Sequence, residues 1–210
     1  MVPKLVRECQ NYLSGSLSVN NVIEFLEQSL LFHDDELRSK CLKLLARNAN
    51  AVLTGPEIMA ASTQSMETIL EMDNIPVREI VLYETCLSWT KFQLQIQGSA
   101  GDPTDEQIRE KLGDLLYKIR FPTMEVTEFA EISEGKNVLT AEEKASVYYF
   151  LATKKKGSQL MFSTERRGHK YFVDRTVDCK RGPSNSTAVG AITFKTNRDI
   201  LLTGIGLYTG

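Results

Sequence analysis

Hydrophobic residues recur at intervals of three and four positions through the first 150 residues, the spacing that places them on one face of an α-helix. The pattern predicts helices over 3–13, 18–32, 34–53, 105–121, 124–132 and 140–152, and a helix pair within 62–94 that Asn74 and Pro76 divide. Short connections favour antiparallel neighbours, so the predicted fold of this part is a set of antiparallel helix pairs.

Residues near the predicted helix starts support these boundaries. Thr140 followed by Glu143 is a capping-box pattern, and Asn21 followed by Glu24 resembles one.

Trp89 is the only tryptophan and lies on the long helix of the 62–94 pair. We expect it to be a core anchor rather than a platform for a ligand.

From residue 160 the helical period gives way to short alternating segments between turn-rich stretches. These segments predict strands at 160–165, 170–179, 188–196 and 199–209. A domain boundary is therefore expected near Gly157.

The charge is unevenly distributed, although the net charge is only −2. Residues 154–181 contain nine basic and three acidic side chains and so carry +6. A basic stretch is one feature of nucleic-acid-binding proteins, but these charges are spread out and have few aromatic neighbours, which favours a solvated linker and strand face. We therefore expect no nucleic-acid partner.

Targeting signals are not evident in the sequence. The apolar runs are far shorter than the roughly 20 residues of a membrane span, and the first residues lack the apolar core of a signal peptide. The expected location is therefore cytoplasmic, with no membrane partner.

Groups that could carry chemistry are scattered along the chain. The four cysteines stand singly and the two histidines, His33 and His169, lie far apart, so no zinc-ligand spacing occurs. Adjacent carboxylates such as Asp34 and Asp35 fit a helix start better than acid–base catalysis. The glycines at 204–210 do not form a dinucleotide fingerprint, since no helix follows them. The residues favour a binding or scaffolding protein without a cofactor over an enzyme.

Four stretches resemble a known family. The segment "MVPKLVRECQNYLSGSLSVNNVIEFLEQSLLFHDDELRSKC" resembles the end of a BTB domain that runs into a BACK domain, and "ILEMDNIPVREIVLYETCLSWTKFQ" is similar to a later BACK segment. The stretch "IRFPTMEVTEFA" and the C-terminal "GIGLYTG" resemble the subgroup in which a PHR domain follows the BACK domain. The chain is thus similar to a fragment of a BTB-BACK-PHR protein.

This resemblance implies a domain order and a fold class. Residues 1–14 would be the last BTB helix, 15–153 the BACK domain, 154–159 a linker and 160–210 the first strands of a truncated PHR domain. The implied fold is mainly α, with antiparallel BACK helix pairs followed by a partial antiparallel β-sandwich. Residues 160–210 are too few to close two sheets.

The resemblance also implies a function, because proteins of this family recruit substrates to cullin-3 RING ubiquitin ligases. A non-catalytic adaptor would dimerise through a BTB domain, bind the cullin-3 N-terminal region partly through the first BACK helix pair, the 3-box at about 19–47, and bind a protein substrate through the PHR domain. Exposed apolar candidates for the cullin contact are Val22, Leu26, Leu37 and Cys41. Each could instead simply pack the helix pair, and the alternative function is a helical scaffold without a ubiquitin-ligase role.

Overall fold

The structure is a computed structural model. The part of the chain that it describes is mainly α-helical. That part comprises residues 15–96, 98, 101–135 and 138–168, all within a compact unit of residues 1–169. The predicted helix at 3–13 and the predicted strands from residue 170 onward lie outside the described residues.

The described helices are mostly short. They are α1 (Val22–Leu31), α2 (Asp35–Arg47), α3 (Ala49–Thr54), α4 (Thr63–Glu71), α5 (Glu79–Ile96), α6 (Asp105–Leu112), α7 (Leu115–Lys118), α8 (Val126–Gly135) and α9 (Ala141–Thr153). Turns of 3₁₀ helix lie at Pro56–Ala60 and Phe121–Thr123. None of these described helices combines the length and the apolar character that crossing a membrane requires.

The long helix α5 packs against α3, α6 and both 3₁₀ turns, while α1 packs against α2 and α4. Trp89 on α5 is buried and donates its Nε1–H to the Ala61 carbonyl oxygen at 2.8 Å, so its predicted role as a core anchor is confirmed. A second buried group centres on Phe121, whose ring meets Tyr83 and Phe129 edge to face. Burial of these apolar side chains supplies the main driving force for folding.

The two predicted helix caps have different outcomes. Thr140 Oγ1 accepts the Glu143 N–H at 3.2 Å and Glu143 Oε2 accepts the Thr140 N–H at 2.8 Å, which confirms the capping box at the start of α9. Asn21 is the residue before the first turn of α1, as predicted, but the predicted capping pair with Glu24 is wrong because the Asn21 side chain makes no cap hydrogen bond. Asn21 Oδ1 accepts the N–H of Ser18 at 2.7 Å, so its side chain orders the preceding turn and not the first turn of α1.

The helix predicted over 105–121 is interrupted at Gly113. This glycine has a φ of +48°, and its N–H closes the end of α6 on the Arg109 carbonyl oxygen at 3.0 Å. A side chain is disfavoured in this region of backbone space, and glycine ends many helices for that reason. The apolar pattern nevertheless continues through Leu115 and Leu116, because α7 buries them against the same core.

The predicted strand at 160–165 is also not observed, since the structure assigns no strand to these described residues. Leu160 and Phe162 are buried in the helical unit, whereas Met161 between them is 67% exposed. The alternation of buried and exposed residues is therefore real over 160–162, but an irregular segment lying on helices produces it. The rest of the predicted β-sandwich lies outside the described residues, and the domain boundaries stay a prediction.

A charged cluster joins α6 to α9. The Arg109 guanidinium donates to both Glu143 carboxylate oxygens, at 2.8 and 2.9 Å, and to the Val138 carbonyl oxygen at 2.6 Å. Tyr117 completes the cluster by donating its hydroxyl to Glu143 at 3.1 Å. Burial would raise the pKa of Glu143, but the hydrogen bonds from Arg109 and Thr140 outweigh it, so this pKa lies below its ordinary value of 4.5.

We expect Glu143→Gln to destabilise the unit near neutral pH, by roughly 1–3 kcal/mol for a lost charged hydrogen-bond pair. A carboxylate with a lowered folded-state pKa contributes stability above its unfolded-state pKa and loses that contribution as the pH falls through the folded-state value. The difference in melting temperature between the two proteins should therefore be present at pH 7 and shrink below about pH 4.5. Thermal melts recorded across this range measure it.

Glu110→Gln is the matched control, because Glu110 lies exposed on the same helix as Arg109. It should leave the melting temperature nearly unchanged. A Glu143→Gln effect that persists undiminished at pH 3 would contradict the assigned role of this carboxylate.

Candidate partner-binding helix pair

The first described helices, α1 and α2, form a closely packed hairpin. Their facing sides bury the apolar residues Val22, Ile23, Leu26, Leu30, Leu37, Cys41 and Leu45. Glu27 ties the hairpin to the rest of the unit, since its Oε1 accepts the N–H of Ser62, the residue that caps α4, at 2.6 Å. The pair is therefore held in place by both apolar packing and a specific hydrogen bond.

The turn between α1 and α2 has a defined backbone structure. The His33 N–H donates to the Leu30 carbonyl oxygen at 3.4 Å, and the Asp34 N–H donates to the Ser29 carbonyl oxygen at 2.9 Å. This pair of bonds is a Schellman motif, and it places His33 in the left-handed region with a φ of 53°. Asp34 then caps α2 by accepting the Leu37 N–H at 3.0 Å.

All four sequence-predicted contact residues lie inside the hairpin. Val22, Leu26, Leu37 and Cys41 are at most 6% exposed. Their predicted exposure is wrong, because the apolar stripes of two antiparallel helices are buried against each other. Whether any of them contacts a cullin stays a prediction.

Two apolar side chains that the sequence reasoning did not single out lie on the surface of the same hairpin. Leu31 is 68% exposed and Phe32 is 70% exposed, at the last residue of α1 and the first residue of the turn. The signal was present in the sequence as "LLF" at 30–32, because three consecutive apolar residues at a helix end cannot all face one core. We call Leu31 and Phe32 the turn pair.

The charged residues beside the turn pair are partly neutralised within their own helix. Arg38 Nη2 lies 2.7 Å from Asp35 Oδ1, and Lys40 Nζ lies 2.6 Å from Glu36 Oε1. Exposed pairs of this kind contribute little stability. They lie on the helix that follows the turn pair in the chain.

The two described cysteines lack the low pKa of a reactive thiol. Burial is the main cause that raises the pKa of the Cys41 thiol to about 11 and that of the Cys86 thiol to about 12, so both are protonated at neutral pH. The described residues also contain no cluster of histidine, cysteine and acidic side chains that could hold a metal ion.

Comparison with known proteins places this geometry in a family. The family model described as BACK, BTB And C-terminal Kelch, matches residues 22–134, beginning at the first residue of α1. The chain belongs to the BACK family. The hairpin α1–α2 is thus the first helix pair of the BACK region.

The curated relatives whose sequences are similar to this chain are BTB/POZ domain-containing proteins. BTB/POZ domain-containing protein 3 of Mus musculus is 30% identical over 212 residues, which covers 99% of this chain and 40% of the relative. BTB/POZ domain-containing protein 6 of Homo sapiens is 31% identical over 219 residues, with 99% and 39% covered. This chain thus spans about two fifths of the length of these relatives. No solved structure matches it.

The turn of the BACK hairpin gives a stability prediction. A non-glycine residue in the left-handed region costs about 1 kcal/mol, so His33→Gly should stabilise the unit by roughly 0.5–1 kcal/mol. We expect a rise in melting temperature of about 2–4 °C per kcal/mol in a thermal melt. His33→Ala keeps the Cβ atom and should give no rise, so equal effects of the two substitutions would contradict this account.

Proposed function

We propose that this BACK protein is a non-catalytic, cytoplasmic adaptor that recruits protein substrates to a cullin-3 RING ubiquitin ligase. The observation that carries the proposal is the turn pair, an exposed apolar surface on the first helix pair of a BACK region. The resemblance of the sequence to BTB-BACK-PHR proteins supplies the partner, because the first BACK helix pair of those adaptors lies beside the cullin.

The proposed mode of binding is apolar contact between a short cullin segment and the end of the hairpin. The interior of the hairpin is filled by its own side chains, so a partner has no space between α1 and α2. Leu31 and Phe32 instead present their side chains at the surface, and the Schellman turn fixes the backbone that carries them. A preorganised surface loses little conformational entropy on binding.

The two other parts of the proposed adaptor follow the family resemblance. A BTB domain would provide homodimerisation and the larger part of the cullin contact, and a PHR domain that begins in residues 160–210 would bind the substrate. Residues 169–210 lie outside the described residues, so this part of the proposal depends on the sequence.

We expect the double substitution Leu31→Asp, Phe32→Asp to weaken binding of the cullin-3 N-terminal region at least tenfold. Covering a large apolar side chain contributes about 1.5–3 kcal/mol, and 1.4 kcal/mol corresponds to a factor of ten in affinity. Isothermal titration calorimetry on the chain, with a BTB domain restored in front of it, measures the change. Both residues are exposed, so the fold should survive, and a thermal melt checks this.

Ile96→Asp is the matched control, since Ile96 is a comparably exposed apolar residue at the end of α5. It should leave cullin affinity unchanged. Leu26→Asp is unsuitable, because this residue is fully buried and the substitution would unfold the hairpin. The proposal fails if the unsubstituted protein with its BTB domain does not bind the cullin region, or if the turn-pair variant binds as tightly as the parent.

A further inference from the structure

Residues 158–168, which begin at the end of the predicted linker, lie on the helical unit. We call them the latch segment. Leu160 is buried, and two further side chains, Phe162 and Arg167, are almost fully buried and separated by exposed or half-buried residues. The buried pair anchors a segment that has neither helix nor strand of its own.

The first anchor is aromatic. The Phe162 ring meets the Phe121 ring edge to face, with centroids 5.0 Å apart, and lies stacked against Tyr117 at 5.7 Å. These geometries are the favoured ones for aromatic pairs, and they add to the free energy of burying the ring. Phe162 thus extends the buried aromatic group around Phe121.

The second anchor is a guanidinium surrounded by oxygen atoms. Arg167 Nε donates to Glu79 Oε1 at 2.5 Å, and Nη1 donates to the carbonyl oxygens of Leu70 at 2.5 Å and Met72 at 2.8 Å. Nη2 donates to the Lys118 carbonyl oxygen at 2.8 Å. The side chains of Arg167 and Glu79 are only 1% and 4% exposed. We call these four acceptors the guanidinium socket.

The four acceptors of the socket are positioned by the helices that carry them. The carbonyls of Leu70 and Met72 lie at the end of α4 and that of Lys118 at the end of α7, where carbonyls have no partner within their helix. Glu79 begins α5, and its second oxygen accepts the Arg120 N–H at 3.0 Å. Without a cation, this arrangement would leave a carboxylate and three carbonyls buried together, which is strongly unfavourable.

Arg120 binds the latch segment from outside the socket. Its guanidinium donates to the Glu165 carbonyl oxygen at 3.1 Å and pairs with the Asp73 carboxylate. The Asp73 carbonyl oxygen in turn accepts the N–H of Gly168 at 2.6 Å, and Gly168 has a φ of +100°. Hydrogen bonds therefore bind the latch segment to the helical unit as far as Gly168, the last residue that the structure describes.

The geometry points to a guanidinium-specific site in the helical unit, filled by Arg167 of the same chain, that binds the latch segment to this unit. The planar guanidinium is suited to this site because it directs N–H groups at several acceptors in one plane. A lysine ammonium has three donors around one atom and cannot reach carbonyls on both sides together with the carboxylate. This inference is independent of cullin binding.

Hydrogen exchange at the Gly168 amide tests the site in the full chain. We expect this amide to be protected in the parent protein and to exchange at least roughly tenfold faster in Arg167→Lys, because that variant keeps the charge but loses the fork of donors. Arg166→Ala is the matched control, since the neighbouring Arg166 is exposed and should leave protection unchanged. Equal protection in Arg167→Lys and the parent would overturn the inference.

Chemical rescue tests the specificity of the socket. In Arg167→Ala, millimolar methylguanidinium should restore Gly168 protection and raise the melting temperature, whereas methylammonium should do neither. Equal effects of the two ions would overturn guanidinium specificity. If Arg167→Ala does not fold, Phe162→Leu, which keeps the socket filled, should loosen 160–163 and leave Gly168 protected. Loss of protection at Gly168 in that variant would show that the socket does not hold the segment.

Discussion

Helices of four to eighteen residues leave many backbone carbonyls without partners inside their own helix, and this chain satisfies them with side chains from other elements. Two donors one turn apart on α5 do this for the first 3₁₀ turn, since Trp89 donates to the Ala61 carbonyl oxygen and Gln93 to that of Met59. Each bond fixes the rotation of one helix relative to another, which apolar packing alone does loosely. The central position of α5 follows from its role as donor as much as from its apolar surface.

The helices could be predicted from the sequence because their apolar period reports which face is buried. The period does not report where the helix stops, and so the break at Gly113 was missed while the stripe of Leu115 and Leu116 was found. A period of two is also ambiguous, because an irregular segment on the surface of helices can bury alternate residues as a strand does. Leu160 and Phe162 show this, and only the hydrogen bonds of a ladder would have distinguished the two cases.

The helix pair could be located in the sequence, but its exposed apolar residues could not. An apolar stripe on a helix can face a partner protein or a neighbouring helix, and α1 and α2 use theirs on each other. The exposed apolar residues are Leu31 and Phe32. They lie where the helix ends, so their side chains point away from the buried face. The guanidinium socket could likewise not be predicted, because its donor Arg167 and its acceptor Glu79 are 88 positions apart and charge alone does not pair them.

The stretch that the BACK family model recognises and the stretch that folds as a unit have different lengths. The model ends at residue 134, but Arg109 is bound to Val138 and Glu143, and the aromatic group around Phe121 is completed by Phe162. A protein cut at residue 134, where the family-model match ends, would carry an uncompensated Glu79 and an open apolar face. The compact helical unit therefore extends past the BACK match to the side chains that neutralise and cover its interior.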